Sequence, residues 1–156
     1  MKERPPMLRP KPPFNGSCLC GSVQVNLTAP PLLTLACHCR DCQKLCASAY
    51  SLTAMFPIGS FSCTGEVVKG GLGSEGREHY FCKSCLNFVF SKIGGAKQRI
   101  NLRTSVLNEA ASFKPFVELM TDKKMPWATV PAAHSFARFP ETLDELQGLM
   151  DEYSQL

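Results

Sequence analysis

The sequence has no run of roughly 20 apolar residues, the length a helix needs to cross a bilayer, which predicts no membrane-spanning segment. Its N-terminus, Met1-Lys2-Glu3-Arg4-Pro5-Pro6-Met7-Leu8-Arg9-Pro10, is basic but lacks the apolar stretch of roughly 7–15 residues that marks a secretory signal. These two absences point to the cytoplasm, where thiols stay reduced. No basic stripe is interleaved with aromatic residues, so nucleic-acid binding is not expected. There is no internal repeat. Charged residues are only 19% against 44% apolar, which excludes global disorder and allows a packed core.

What is present in excess is cysteine, nine in 156 residues. An odd number cannot pair off completely into internal disulfides. In a reduced compartment, clustered cysteines bind metal or do chemistry more often than they bridge. The length suits one domain with an arm.

The formal charge of +4 is uneven. Residues 1–16 carry +3, residues 141–156 carry −5 with no Lys or Arg, and the middle carries +6. A zinc ion on four thiolates is a −2 unit and one on three is −1, so two such sites bring the chain to about +1. The positive excess then answers buried thiolates and a small anionic ligand.

Five prolines in residues 1–13 predict an extended arm. Residues 14–140 form a mainly β, zinc-binding domain. Val23, Val25 and Leu27 alternate with polar residues, and so do Tyr50, Leu52, Ala54 and Phe56, the period-two mark of half-buried strands. A short apolar run follows Pro30-Pro31 at 32–36. Further short strands are expected near 60–63, 65–69, 77–81, 87–92, 98–102 and 115–120, with turns at Gly70-Gly71 and Gly94-Gly95. Residues 141–156 form one amphipathic helix with Thr142 as N-cap and Glu145 completing a capping box. Leu143, Leu146, Leu149, Met150 and Tyr153 share its apolar face.

The cysteines fall into three blocks: Cys18-Leu19-Cys20, Cys37-His38-Cys39-Arg40-Asp41-Cys42 and Cys82-Lys83-Ser84-Cys85. Tetrahedral zinc takes four soft ligands, commonly two from each of two short loops. One partition puts Cys18, Cys20, Cys82 and Cys85 on a closed structural site. It leaves Cys37, Cys39 and Cys42 as a tripod with an open fourth position, the pattern of a catalytic metal. A rival partition pairs Cys39 and Cys42 with Cys82 and Cys85 as a ribbon, although its 39-residue spacer is long for that motif. No thioredoxin-like βαβ unit surrounds Cys39-Arg40-Asp41-Cys42, which argues against a redox motif. Cys46 and Cys63 stand apart. Cys46 is four residues past Cys42; if 42–47 make a helical turn, the two thiols sit side by side and Cys46 becomes a fourth ligand or a redox partner. The plainer reading for both Cys46 and Cys63 is a small buried thiol. His38 sits between two ligand candidates and is read as a packing or supporting group. Arg40, Lys44 and Lys83 flank the blocks and are candidate contacts for an anionic substrate.

The run Gly16-Ser17-Cys18-Leu19-Cys20-Gly21-Ser22-Val23, then Cys37 to Lys44, then Arg77 and Phe81-Cys82-Lys83-Ser84-Cys85, resembles the glutathione-dependent formaldehyde-activating enzyme family, which includes centromere protein V. The likeness covers roughly residues 14–140, with Pro126-Trp127 in its C-terminal portion. It implies a β-tent zinc fold of short antiparallel strands. It implies a structural zinc on Cys18, Cys20, Cys82 and Cys85 and a catalytic zinc on Cys37, Cys39 and Cys42, hence two zinc ions per chain. The implied activity is a carbon–sulfur lyase reaction in its synthetic direction, joining glutathione to formaldehyde as S-hydroxymethylglutathione. Two departures stand out: Leu86 where the family has Gly after the last cysteine, followed by Asn87, and Ala47 where it has Gly after the tripod.

Two other functional classes fit the same residues. One is a non-catalytic zinc β module that binds a protein partner, favoured if Cys46 closes the tripod. The other is a glutathione carrier without turnover.

Overall fold

Alternating apolar and polar residues become strands wherever the period of two persists, and the longest such runs build one sheet. The structure, a computed structural model, describes residues 6–95 and 98–156; Met1 to Pro5 of the proline arm lie outside it. The chain runs through β1 (Phe14–Ser17), β2 (Gln24–Leu27) and β3 (Leu33–Cys37) into a short helix, α1 (Arg40–Cys46). There follow β4 (Ser51–Pro57), β5 (Phe61–Thr64), β6 (Val67–Ser74), β7 (Arg77–Cys82), β8 (Phe88–Ile93) and β9 (Arg99–Arg103). The chain closes with β10 (Val117–Leu119), β11 (His134–Ser135) and α2 (Leu143–Ser154). The fold is mainly β, with cysteine clusters of the kind expected in a zinc fold.

β1, β2 and β5 form a small sheet in the order β1-β2-β5. The other eight form the order β11-β10-β3-β4-β9-β8-β7-β6. Pairing is antiparallel except at one edge, where β10 runs parallel to β3 and β11 parallel to β10. The connection from β9 back to β10 carries the chain through two short 3-10 turns and makes that parallel return possible. Gly70 and Gly71 are not a turn. They lie inside β6, where the register with β7 slips, and the reversal comes at residues 75–76.

The middle strands of the large sheet bury both faces, while β6 at its edge is largely exposed. Ala54, Phe56, Val89, Phe90, Ile100 and Leu102 pack against Phe14, Val23, Val25 and Leu27 of the small sheet. Gly16 packs directly against the 3-10 turn that follows β9: a Cβ there would sit 2.0 Å from the Val106 carbonyl oxygen. The opposite face carries Leu33, Met55, Val117 and Leu119, covered by Leu149 and Tyr153 of α2. The Thr142 hydroxyl accepts from the Glu145 N–H at 3.1 Å, so the N-cap half of the box forms. The Glu145 carboxylate accepts at 2.8 Å from the N–H of Glu141, one residue before the cap, rather than from Thr142. The described part of the arm is held down. Met7 packs on this second core, Pro10 is buried, and Arg9 donates to the Pro31 carbonyl at 2.9 Å with its guanidinium over the Tyr153 ring.

Register on the α2-covered face decides what surrounds the cysteines. Cys37 lies opposite Ser51, and Leu35, Thr53 and Arg103 form the next row. Leu33, Met55, Asn101, Ser91 and His79 form the row after that, and Arg99 and Arg77 lie one row further on β9 and β7.

Candidate functional site

The loop between β1 and β2 brings Cys18 and Cys20 to the end of β7, where Cys82 and Cys85 form a turn. Gly21 takes a positive φ of 80°, which any other residue adopts at a cost, and so reverses the chain just after Cys20. The four sulfurs lie within 4.8 Å of one another. Cys18 Sγ is 3.6 Å from Cys20 Sγ, and Cys20 Sγ is 3.8 Å from Cys82 Sγ. Four sulfurs about 2.3 Å from a tetrahedral zinc stand about 3.8 Å apart, so donor type and spacing both fit that metal. Backbone N–H groups of Val23 and Cys85 point at Cys18 Sγ and Cys82 Sγ at 3.3 and 3.5 Å. Ser22 Oγ lies 3.0 Å from Cys20 Sγ and 3.3 Å from Cys82 Sγ. The Cys85 N–H, then Ser22, hold the Cys82 thiol down at about 6, so Cys82 favours thiolate.

Cys37 ends β3, Cys39 is the N-cap of α1, and Cys42 lies in its first turn. The Cys42 N–H donates to Cys39 Sγ at 3.3 Å. These three sulfurs also lie within 4.8 Å of one another and suit a metal in the same way. Hydrogen bonding from Cys37 lowers the Cys42 thiol to about 5, with help from Ser51, Cys39 and Arg103 and against burial, while Cys37 is pushed up by the same bond. The ribbon pairing of Cys39 and Cys42 with Cys82 and Cys85 is not assembled. Cys46 is outside the cluster: α1 turns it toward the Arg103 guanidinium, and burial raises its thiol more than Arg103 lowers it.

His38, between two of these cysteines, points away from them. It is fully buried, with Nε2 3.0 Å from Glu118 Oε2. Glu118 also accepts from Ser135 Oγ at 2.6 Å and Lys124 Nζ at 3.2 Å. Gln43 Nε2 donates to the His38 carbonyl at 2.7 Å and the Lys123 carbonyl at 3.1 Å. The network ties the cysteine loop to β10 and supports the tripod from behind.

The tripod opens into a cavity of about 320 Å³ over the α2-covered face of the large sheet. Sequence reading gave no role to its main polar groups: Arg77, His79, Arg99, Asn101 and Arg103. A signal was there, since Arg99-Ile100-Asn101-Leu102-Arg103 alternates, with polar residues facing the cavity and Ile100 and Leu102 facing the core. Arg103 is 8% exposed, stacks over Phe88 at 4.7 Å, and its Nε has no hydrogen-bond partner. Among the described residues none of the three cavity arginines forms an ion pair, and Glu141 is the one carboxylate lining the cavity. Burial, then Arg103 and Arg77, lowers His79, which leaves a neutral imidazole whose Nδ1 is 2.7 Å from Ser91 Oγ.

The structure places Arg40, Lys44 and Lys83 elsewhere. Arg40 bonds to Gln43 Oε1, and with Lys44 it borders a shallow depression beside Trp127. Lys83 Nζ pairs with Glu66 Oε2 at 2.9 Å on the surface. None of the three lines the tripod cavity.

Among known proteins, the family model for glutathione-dependent formaldehyde-activating enzymes matches residues 13–123. No curated protein sequence matches the chain. A crystal structure of a Rhodobacter sphaeroides protein is similar at 16% identity over 60% of this chain and 87% of that one, with a TM-score of 0.49. The family match spans well over half of the 156 residues and includes all seven clustered cysteines. The chain belongs to the glutathione-dependent formaldehyde-activating enzyme family.

Proposed function

We propose that this chain is a zinc-dependent enzyme of the carbon–sulfur lyase type that joins a glutathione-like thiol to formaldehyde or a related small aldehyde. The observation that supports this most is the placement of the Cys37, Cys39 and Cys42 tripod at a cavity whose arginines, among the described residues, form no ion pair with a carboxylate. Three protein ligands and an accessible cavity are what a catalytic zinc needs, whereas a closed four-cysteine set is structural. Two zinc ions per chain follow, one on Cys18, Cys20, Cys82 and Cys85 and one on the tripod.

When bound at the tripod, zinc supplies acidification of a thiol and polarisation of an aldehyde oxygen. The protein's own groups do the rest. Arg77, Arg99 and Arg103 neutralise the carboxylates of the thiol substrate and set its direction in the cavity. Holding thiol and aldehyde together removes the entropy cost of their encounter. His79, neutral at pH 7, is the cavity's proton acceptor. In the reaction the sulfur lone pair forms the bond to the carbonyl carbon, the C=O π pair moves to oxygen, and the thiol proton ends on that oxygen.

The test is the rate at which glutathione and formaldehyde exchange with S-hydroxymethylglutathione, read by NMR against the uncatalysed rate. Acceleration that Cys39→Ser abolishes while the fold persists supports the enzyme. Binding of glutathione without acceleration makes the chain a carrier. Neither result would leave a non-catalytic zinc module.

A further inference from the structure

The cavity is two-sided, and its second side is too large and too apolar for formaldehyde. Strand order separates the halves. β9 and β7 supply Arg99, Arg103 and Arg77, whereas β3 and β10, on the other side of β4, supply Leu33, Leu35, Val117 and Leu119. α2 closes over this apolar half with Leu146 and Leu149, and Phe139 and Leu143 stand at its rim, 52% and 61% exposed. The tripod lies at the Cys37 end of β3, beside both halves.

A one-carbon aldehyde with two heavy atoms leaves the apolar half unfilled. An apolar hollow gains nothing from water and gains most from a hydrocarbon of matching size. The cationic half has the opposite need, since guanidinium groups at least partly withdrawn from water are stabilised by carboxylates. One ligand meets both demands: a carboxylate-bearing thiol joined through sulfur to an alkyl chain.

We propose that the cavity takes an adduct of a glutathione-like thiol with a longer-chain aliphatic aldehyde, its carboxylates on Arg77 and Arg99 and its alkyl chain in the leucine-lined half. The adduct is a thiohemiacetal. The sulfur–carbon bond forms as the thiol proton passes to the carbonyl oxygen, with no oxidant or reductant required. The proposal rests on the enzyme reading for its chemistry and on the cavity alone for its binding.

Thioethers separate the two, because they fill the cavity without reacting. Binding of S-methylglutathione and S-hexylglutathione to the zinc-loaded protein is measured by calorimetry. Each methylene buried strengthens binding about fourfold, so S-hexylglutathione is expected to bind at least tenfold tighter. Leu146→Gln is expected to erase that preference while leaving S-methylglutathione unchanged. Arg99→Gln is expected to weaken both thioethers about tenfold. Equal binding of the two thioethers by the unaltered protein, no binding of either, or binding indifferent to Arg99→Gln overturns the proposal. Turnover is then compared for formaldehyde and hexanal with glutathione. A preference for S-hexylglutathione without turnover of either aldehyde sinks the enzyme reading and keeps the cavity assignment. Turnover of formaldehyde with equal thioether binding does the reverse.

Discussion

Cys20 Sγ lies 3.8 Å from Cys82 Sγ, although 62 residues separate them in the chain. Cys20 belongs to the loop joining two strands of the small sheet, and Cys82 ends a strand of the large one. A metal held there joins the two layers at a point where Cys18 and Cys82 are themselves part of the core.

Loss of that site is therefore expected to cost more stability than loss of the tripod. Cys82→Ser should lower the melting temperature by roughly 10 °C or more, from a loss of several kcal/mol at about 2–4 °C per kcal/mol. Cys39→Ser, on a loop already held by the His38 and Gln43 bonds, should shift it by less than half as much. Thermal unfolding by circular dichroism checks the order, and a larger loss in Cys39→Ser contradicts it.

Two residues occupy the left-handed region where the family resemblance has Gly. Leu86 has φ 60° and Ala47, the C-cap of α1, has φ 48°. A non-glycine residue there costs about 1–2 kcal/mol, partly offset because Gly has more unfolded-state freedom to lose. Leu86 is 66% exposed, so little packing is at stake. Leu86→Gly and Ala47→Gly should each stabilise the protein by about 0.5–1 kcal/mol in urea unfolding. A lower midpoint for both would show that the strain is not there.

Arg103 places a buried cation beside Cys42 and Cys46. Without it the tripod must hold its charge against a dry wall. Supporting groups of this kind typically change metal affinity about 10–100-fold. Arg103→Gln should weaken metal binding at the tripod by about tenfold, read by chelator competition, and leave the four-cysteine site unchanged. Equal weakening of both sites would point to general unfolding instead.

Glu118 links stability to pH. Burial pushes its carboxyl up, but the bonds from Ser135, His38 and Lys124 outweigh that and hold it below its ordinary value. A depressed carboxylate contributes fully above its unfolded value, about 4.3, and loses that contribution as pH falls through its folded value. Glu118→Gln should cost about 2 kcal/mol at pH 7, since it leaves buried donors poorly matched. The gap between the two proteins should close below about pH 4.3. Urea midpoints for both from pH 7 to 3 test this, because the cysteines respond alike in each. A gap constant with pH contradicts it.

Much of the fold was legible where residue types alternate. β2 is a half-buried strand, β9 alternates polar and apolar residues between two buried faces, β4 begins in an alternating stretch, and α2 announced itself by Thr142 and Glu145. The spacings of the cysteines leave two partitions open, and the grouping as four and three is decided by the topology, which brings the β1–β2 loop to the end of β7 and leaves the third block at the end of β3. β10 falls within the strand expected at 115–120, but its parallel pairing and β11 were not legible, since nothing in three or two residues encodes the direction of a partner. α1 enters the sequence reading only as a conditional helical turn over 42–47, because seven residues carry no full apolar stripe and its N-cap is a cysteine, Cys39, rather than Ser, Thr, Asp or Asn. The arginine-lined half of the site depends on β9 and β7 sharing a face with Cys37 across β4, a relation of sheet order and not of sequence distance.

Metal content per chain tests the central claim most directly: two zinc sites of different kinds, four cysteines in one and three in the other. Zinc is to be counted in the unaltered protein, in Cys39→Ser and in Cys82→Ser, with and without glutathione. The account predicts two zinc ions in the unaltered protein, with glutathione perturbing only the tripod. It predicts one in Cys39→Ser, retained on Cys18, Cys20, Cys82 and Cys85 with the fold intact. It predicts loss of the structural ion in Cys82→Ser. A single tightly bound zinc that either substitution abolishes would contradict the account, because it would place Cys39 and Cys82 on one metal.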